Sequence, residues 1–294
     1  MSEAGDNWGA PGGSPVGTSG WYVATDGQWY RSASPPAPGY WLHQNGRWYP
    51  PTEAAEPWQT SRWGLGDMWW GVLAYLVTGF VGAGALAIVA SDGGSFTETG
   101  PYAIGVYVAL NAIAVIGILW LATRRKGLRS IRADFGLSGR WRDPLIGLGI
   151  GVGAMFVAGI VTYAIDSAFG ADEPTSNLPV DDLTTIGQFT VFFLAVAVVT
   201  PVIEELFFRG LIYRSLLKRR RSAFRSILVT TAIFIVPHLP SAESWSGLVS
   251  LAAAIGTLGL AFSLACYWTG NRLVAPIVAH AVVNGVAALA LYFG

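Results

Sequence analysis

Cysteine is nearly absent: Cys266 is the only one in 294 residues. An internal disulfide is therefore excluded, and so is a cysteine-rich zinc site. A lone cysteine in an apolar helical run is read as a packing residue. Charge is scarce as well. Charged residues make up 12% of the chain and hydrophobic ones 52%, whereas a soluble domain carries roughly 25% charge. The formal net charge is zero, so nothing global draws the chain to nucleic acid or acidic substrates. The first sixty residues also lack the short apolar core behind a basic start that marks a cleavable signal peptide. The first spanning helix is expected to act as an uncleaved insertion signal. Little charge and long uncharged runs together indicate an integral membrane protein.

What is present begins with a low-complexity tail over 1–19, expected to be disordered. An aromatic repeat follows over 20–51. Gly20-Trp21-Tyr22 leads to Asp26-Gly27-Gln28-Trp29-Tyr30, and Gly39-Tyr40-Trp41 leads to Asn45-Gly46-Arg47-Trp48-Tyr49-Pro50. Asp-Gly and Asn-Gly between aromatic flanks signal tight hairpin turns, because both turn positions need positive φ. Two small aromatic β-hairpins are predicted, similar to short tryptophan-rich repeats that precede membrane domains in actinobacterial proteins. Isolated two-stranded hairpins are marginal in water, so they are expected to pack on something, with a peptide or protein ligand as one option. Residues 52–65 read as a linker.

From 66 to 294 the chain reads as an all-α polytopic bundle of about seven spans, each near the roughly 20 residues that a hydrocarbon core requires. The expected spans are 69–90, 102–123, 145–169, 187–217, 224–240, 247–268 and 273–293. Trp63, Trp69 and Trp70 are expected at the first interface, where indoles collect. Arg124-Arg125-Lys126, Arg129 and Arg132 follow the second span, and Lys218-Arg219-Arg220-Arg221 with Arg225 follow the fourth. Asp92 and Glu98 follow the first, and Asp172-Glu173 with Asp181-Asp182 follow the third. Basic loops stay cytoplasmic. The expected protein is thus a multi-pass cell-membrane protein with a cytoplasmic N-terminus, cytoplasmic hairpins and an external C-terminus.

Three polar clusters interrupt the last spans: Glu204-Glu205 with Arg209, Phe234 with His238, and His280 with Asn284. Ionisable groups inside a membrane are costly unless paired or wet, and so mark functional sites by default. At about 1.5 Å rise per residue, Glu204, Glu205 and His238 lie roughly 20 Å from the cytoplasmic side, and His280 and Asn284 roughly 10 and 16 Å. One shared pocket is geometrically allowed. Glu205 and Arg209 are four residues apart, as are His280 and Asn284, so each pair shares a helix face. Glu204 and Glu205 point about 100° apart, which gives them different tasks: one faces the pocket and the other pairs with Arg209.

These residue types suit hydrolysis. A carboxylate beside an imidazole can take a proton from water, and a second imidazole with a carboxamide can donate to an oxyanion. Alternatively Glu204, His238 and His280 could hold zinc with an open position for water. Spacing does not choose between a divalent metal and a metal-free glutamate. Taken singly, an intramembrane histidine or asparagine can also be interhelical glue, Arg209 can be a snorkelling residue, and Asn111 and Asp166 are read as glue or interface residues. Adjacent glutamates in an apolar helix are harder to assign to structure alone.

At these residues the chain resembles the CPBP family of intramembrane proteases, which includes CAAX prenyl protease 2 and lysostaphin-resistance protein A-like proteins. Pro201-Val-Ile-Glu204-Glu205-Leu-Phe-Phe208-Arg209-Gly210 is similar to the family's Glu-Glu-x-x-x-Arg motif. Phe234-Ile-Val-Pro-His238 matches its Phe-x-x-x-His motif, and His280-Ala-Val-Val-Asn284 its last one. The resemblance spans 185–290 and implies that Glu204 and His238 activate water. It further implies that His280 and Asn284 bind the oxyanion, while Glu205 and Arg209 support them. The implied activity is cleavage of a membrane-associated peptide or protein in the lipid bilayer. Pro237 and Asn271 depart from the usual pattern, the first threatening a kink before His238. Rival readings are a scaffold or bacteriocin-immunity-type protein that binds a partner peptide without catalysis, and a transporter using the acids and imidazoles as a proton relay.

Overall fold

The computed structural model describes residues 57–91, 96–169, 183–220, 222–242 and 244–293, by backbone alone at 57, 60, 83–91, 96–99, 220 and 241, and the backbone of four short strands in the repeats. Strand β1 (Trp21–Val23) pairs antiparallel with β2 (Trp29–Arg31), and β3 (Trp41–Leu42) with β4 (Trp48–Tyr49). The Asp26-Gly27 and Asn45-Gly46 turns, the 1–19 tail and the acidic residues 172, 173, 181 and 182 lie outside the described residues.

The remainder is helical: α1 (Leu65–Ser91), α2 (Phe96–Lys126), the short α3 (Ile131–Phe135) and α4 (Asp143–Phe169) come first. A long helix follows, in which α5 (Ile186–Phe193), α6 (Thr200–Glu205) and α7 (Arg214–Arg220) are joined by π-helical stretches Leu194–Val199 and Leu206–Tyr213. Then come α8 (Ala223–Ile235) with a 3-10 turn Val236–Ser241, α9 (Trp245–Trp268) and α10 (Val274–Phe293). Seven helical segments are long and apolar enough to cross a bilayer, and large apolar side chains such as Phe80, Phe156 and Ile160 lie exposed on their flanks. Both α1 and α2 begin before the expected positions, and α2 runs on through Arg124-Arg125-Lys126. An apolar run measures the hydrocarbon thickness, whereas backbone hydrogen bonding carries a helix on into polar residues.

Helix α4 packs on α9 and α10 through a stripe of small buried residues, Gly147, Gly151, Ala154 and Ala158. Such stripes let helix backbones approach closely in lipid. A Cβ at Gly147 would meet the Ala275 carbonyl at 2.4 Å, and one at Gly151 the Ala279 carbonyl at 2.7 Å. Since α10 also carries His280, this contact sets the height of that imidazole. Gly151→Val should therefore destabilise the bundle by about 1–3 kcal/mol, the usual cost of overpacking, read as a fall in melting temperature in detergent. An unchanged melting curve would show that the helices can separate without loss.

The 57–64 segment is not a free linker. Trp58 and Trp63 are buried in the main core, so the expectation that Trp63 sits at the interface is corrected; Trp69 and Trp70 are exposed. The reason is polar as well as apolar. Trp63 Nε1 donates to Asp134 Oδ1 (2.7 Å), and Lys218 Nζ donates to Ser61 Oγ (2.7 Å) and the Trp63 carbonyl (2.9 Å). The Thr123 hydroxyl and the Leu128 amide complete the shell of the buried Asp134 carboxylate. These contacts place 57–64, the basic residues after α2 and the basic residues of α7 at one end of the bundle.

Candidate active site

Glu204 and Glu205 end α6, midway along the long helix, and π-helical winding begins at Leu206. Short π segments widen a helix locally and often accompany functional sites. The two carboxylates part as their angular separation requires. Glu205 is fully buried; its Oε1 accepts from Arg209 Nη1 (2.8 Å) and from His280 Nδ1 (3.1 Å). Glu204 turns the other way, and its Oε1 accepts from the Tyr75 hydroxyl (3.1 Å).

Arg209 is fully buried, which removes the snorkelling reading. Its guanidinium also reaches the Gly259 carbonyl (2.7 Å) and Ser263 Oγ (3.3 Å) on α9. The Phe234 and Phe262 rings lie 4.6 and 5.5 Å from it, at cation–π distance. Gly259 is small for a reason: a Cβ there would meet the Phe234 ring at 2.8 Å. Arg209 thus clamps α9 to the π stretch and holds Glu205 in place.

His280 lies between the carboxylates. Its Nδ1 faces Glu205, its Nε2 is 3.9 Å from Glu204 Oε2, and its ring stacks on Phe262 (4.8 Å between centroids, 20° between planes). A gap of 3.9 Å is too long for a direct hydrogen bond, yet short enough for both groups to address one intervening atom. Both imidazoles meet Phe234, whose ring centroid is 5.1 Å from the His238 ring and 6.0 Å from the His280 ring. Pro237 has the effect its chemistry dictates: without an N–H it ends α8, and His238 falls in the 3-10 turn Val236–Ser241. There its Nδ1 donates to the Phe234 carbonyl (2.9 Å). That tautomer makes Nε2 the nitrogen able to accept a proton.

Asn284, one turn after His280 on α10, is half-buried. Its Nδ2 donates to the Val196 carbonyl in the first π stretch (2.8 Å). The same nitrogen carries a second N–H. Glu204 instead lines a cavity of 60 Å³ with Tyr75, Tyr107, Asn111, Thr200 and Ile203. That volume accommodates water, which needs about 10–15 Å³ per molecule. Asn111 is thus a cavity residue and not merely glue, and its buried Oδ1 has no hydrogen-bond partner among the described residues.

Residues 186–286 match the family model described as Type II CAAX prenyl endopeptidase Rce1-like. This stretch of the bundle is similar to that family. The Rce1-like segment begins at the first residue of α5 and ends just beyond Asn284, so it holds all six site residues singled out in the sequence. No curated protein and no solved structure gives a significant match to the chain.

The zinc reading of the Rce1-like site does not fit its geometry. Among the described residues, no three His, Cys, Asp or Glu side chains come together as a metal-ligand set. Tyr75, on α1 and outside the Rce1-like segment, is the contact that sequence reading missed. Its only signal was a polar-tipped ring in the middle of an otherwise apolar span.

Proposed function

We propose that the chain is an intramembrane endopeptidase hydrolysing peptide bonds of membrane-associated proteins or peptides. The observation that carries this reading is His280 lodged between the paired carboxylates of α6, with Glu204 open to a polar cavity in the bilayer interior. Glu204 takes the proton of a water at the cavity edge, and His238 assists through Nε2. Attack on the scissile carbonyl creates an oxyanion. His280, when protonated, donates through both nitrogens, one to Glu205 and the other toward that oxyanion. The second N–H of Asn284 supplies another donor, while Glu205 and Arg209 hold His280 in register. The proton gained by Glu204 then passes to the leaving amine, so no net charge accumulates.

In this reading the basic end faces the cytoplasm, the protein resides in the cell membrane, and 20–51 forms a module separate from the bundle. The CAAX label of the family supports a substrate whose cleaved bond lies near a lipid-associated anchor.

Membranes carrying the wild-type chain should show new protein N-termini, read by mass spectrometry, that vanish with Glu204→Gln. Identical N-terminal profiles for the two would reject catalysis and favour a scaffold. Tyr75→Phe should slow cleavage about tenfold or more, since a hydrogen bond to a charged group is worth roughly 1.5–3 kcal/mol. Wild-type rates in that variant would mean that Tyr75 only packs.

A further inference from the structure

The end of the bundle that carries the basic loops holds another cavity, of 400 Å³, which peptide hydrolysis does not use. Arg132 of α3, Arg140 of the α3–α4 connection, Arg214 at the start of α7 and Arg272 before α10 line it, with Ser130 and Ser138. Among the described residues that line it there is no carboxylate. Two acids lie close in the fold: Asp143 pairs with the lining Arg272 itself, and Asp134 faces away from the cavity. Asp143 receives Arg272 through both oxygens (2.7 and 2.8 Å) and the Arg140 amide (2.8 Å). The Asp134 carboxylate is held by Trp63, Thr123 and Leu128, and only its carbonyl meets Arg214 (2.8 Å).

The walls are fixed by the fold. Arg214 also donates to the Asn271 carbonyl (2.5 Å), and Gly270 and Asn271 both take positive φ (74° and 61°). That turn needs residues tolerant of the left-handed region, which glycine and asparagine are. The Asn271 departure from the family's usual residue therefore keeps the turn that shapes this wall. Arg132 and Arg140, by contrast, are exposed. Arg272 is neutralised by Asp143, which leaves the exposed Arg132 and Arg140 with the buried Arg214 behind them, a set that suits a phosphate, which arginine forks bind with several charge-assisted hydrogen bonds.

The surroundings decide the source of that phosphate. Trp141 follows Arg140 and Trp268 precedes Gly270, and both indoles are exposed, at 74% and 65%. Exposed indoles at a bundle end mark headgroup level, and basic pockets between helices there receive anionic headgroups. We propose that this cavity binds the phosphate of an anionic phospholipid, of the phosphatidylglycerol type. The inference stands apart from the proteolytic reading.

Native mass spectrometry of the full chain released from detergent, with phosphatidylglycerol or phosphatidylcholine added, tests it. One phosphatidylglycerol should be retained in preference to phosphatidylcholine. Retention should weaken about fivefold for each arginine removed in Arg132→Gln and Arg140→Gln, and further in the double variant. Arg142→Gln should change nothing, because Arg142 stacks on Trp141 (4.8 Å) and does not line the cavity. Inorganic phosphate at the same concentration should not displace the lipid. Equal retention of the two lipids, unchanged retention in the double variant, or displacement by inorganic phosphate would each overturn the proposal.

Discussion

Arg209→Met should destabilise the bundle by about 3–5 kcal/mol, the cost of removing one partner from a buried ion pair. Three acceptors from two segments converge on the guanidinium: Glu205 Oε1, the Gly259 carbonyl and Ser263 Oγ. Both partners of the ion pair are fully buried. In lipid no water replaces what methionine cannot supply, and Glu205 is left with only His280 beside it. Lysine should not rescue, because a single ammonium lacks the planar fork that reaches three separated acceptors. The double variant Arg209→Met with Glu205→Leu should recover most of the loss, since well-packed apolar residues often replace a buried pair without penalty. It should remain inactive, because His280 then has no carboxylate to orient it. Melting temperatures in detergent and cleavage rates for the three variants separate these effects. Wild-type melting of Arg209→Met would show that the clamp is dispensable.

His280→Phe carries the other large effect. Phenylalanine keeps the stacking on Phe262 and the contact with Phe234, and Glu205 keeps Arg209. Stability should change little. Both ring nitrogens are lost, however, and cleavage should fall about 10²–10⁴-fold, the range for removing a positioned proton-transfer or charge-stabilising group. The loss should appear in kcat more than in KM. A variant that cleaves at the wild-type rate would reduce His280 to a packing residue, and one that loses only stability would make it interhelical glue.

Much of this arrangement is legible in the residues. Apolar run length yields seven spans because hydrocarbon thickness constrains it directly. The division of labour between Glu204 and Glu205 follows from helical geometry, and the Glu205–Arg209 pair from four-residue spacing. Pro237 announces the end of α8. Other features depend on partners far away in sequence. Tyr75 meets Glu204 across 129 positions, and nothing in α1 marks which of its faces will touch α6. Asn284 shows a polar group but not its acceptor at Val196. Trp58 and Trp63 look like linker and interface residues because their polar anchors, Asp134 and Lys218, lie far along the chain. The spacing of Gly147 and Gly151 gains a meaning only from the helix that comes to rest against them.

The most direct measurement compares Glu204→Gln with Glu205→Gln in both melting temperature and cleavage of a membrane substrate. Glu204→Gln should melt like the wild type and cleave nothing, because its carboxylate faces a cavity. Glu205→Gln should lose both stability and cleavage, because its carboxylate anchors Arg209 and His280. Undiminished cleavage by Glu204→Gln, or matching behaviour of the two variants in stability, would contradict the account.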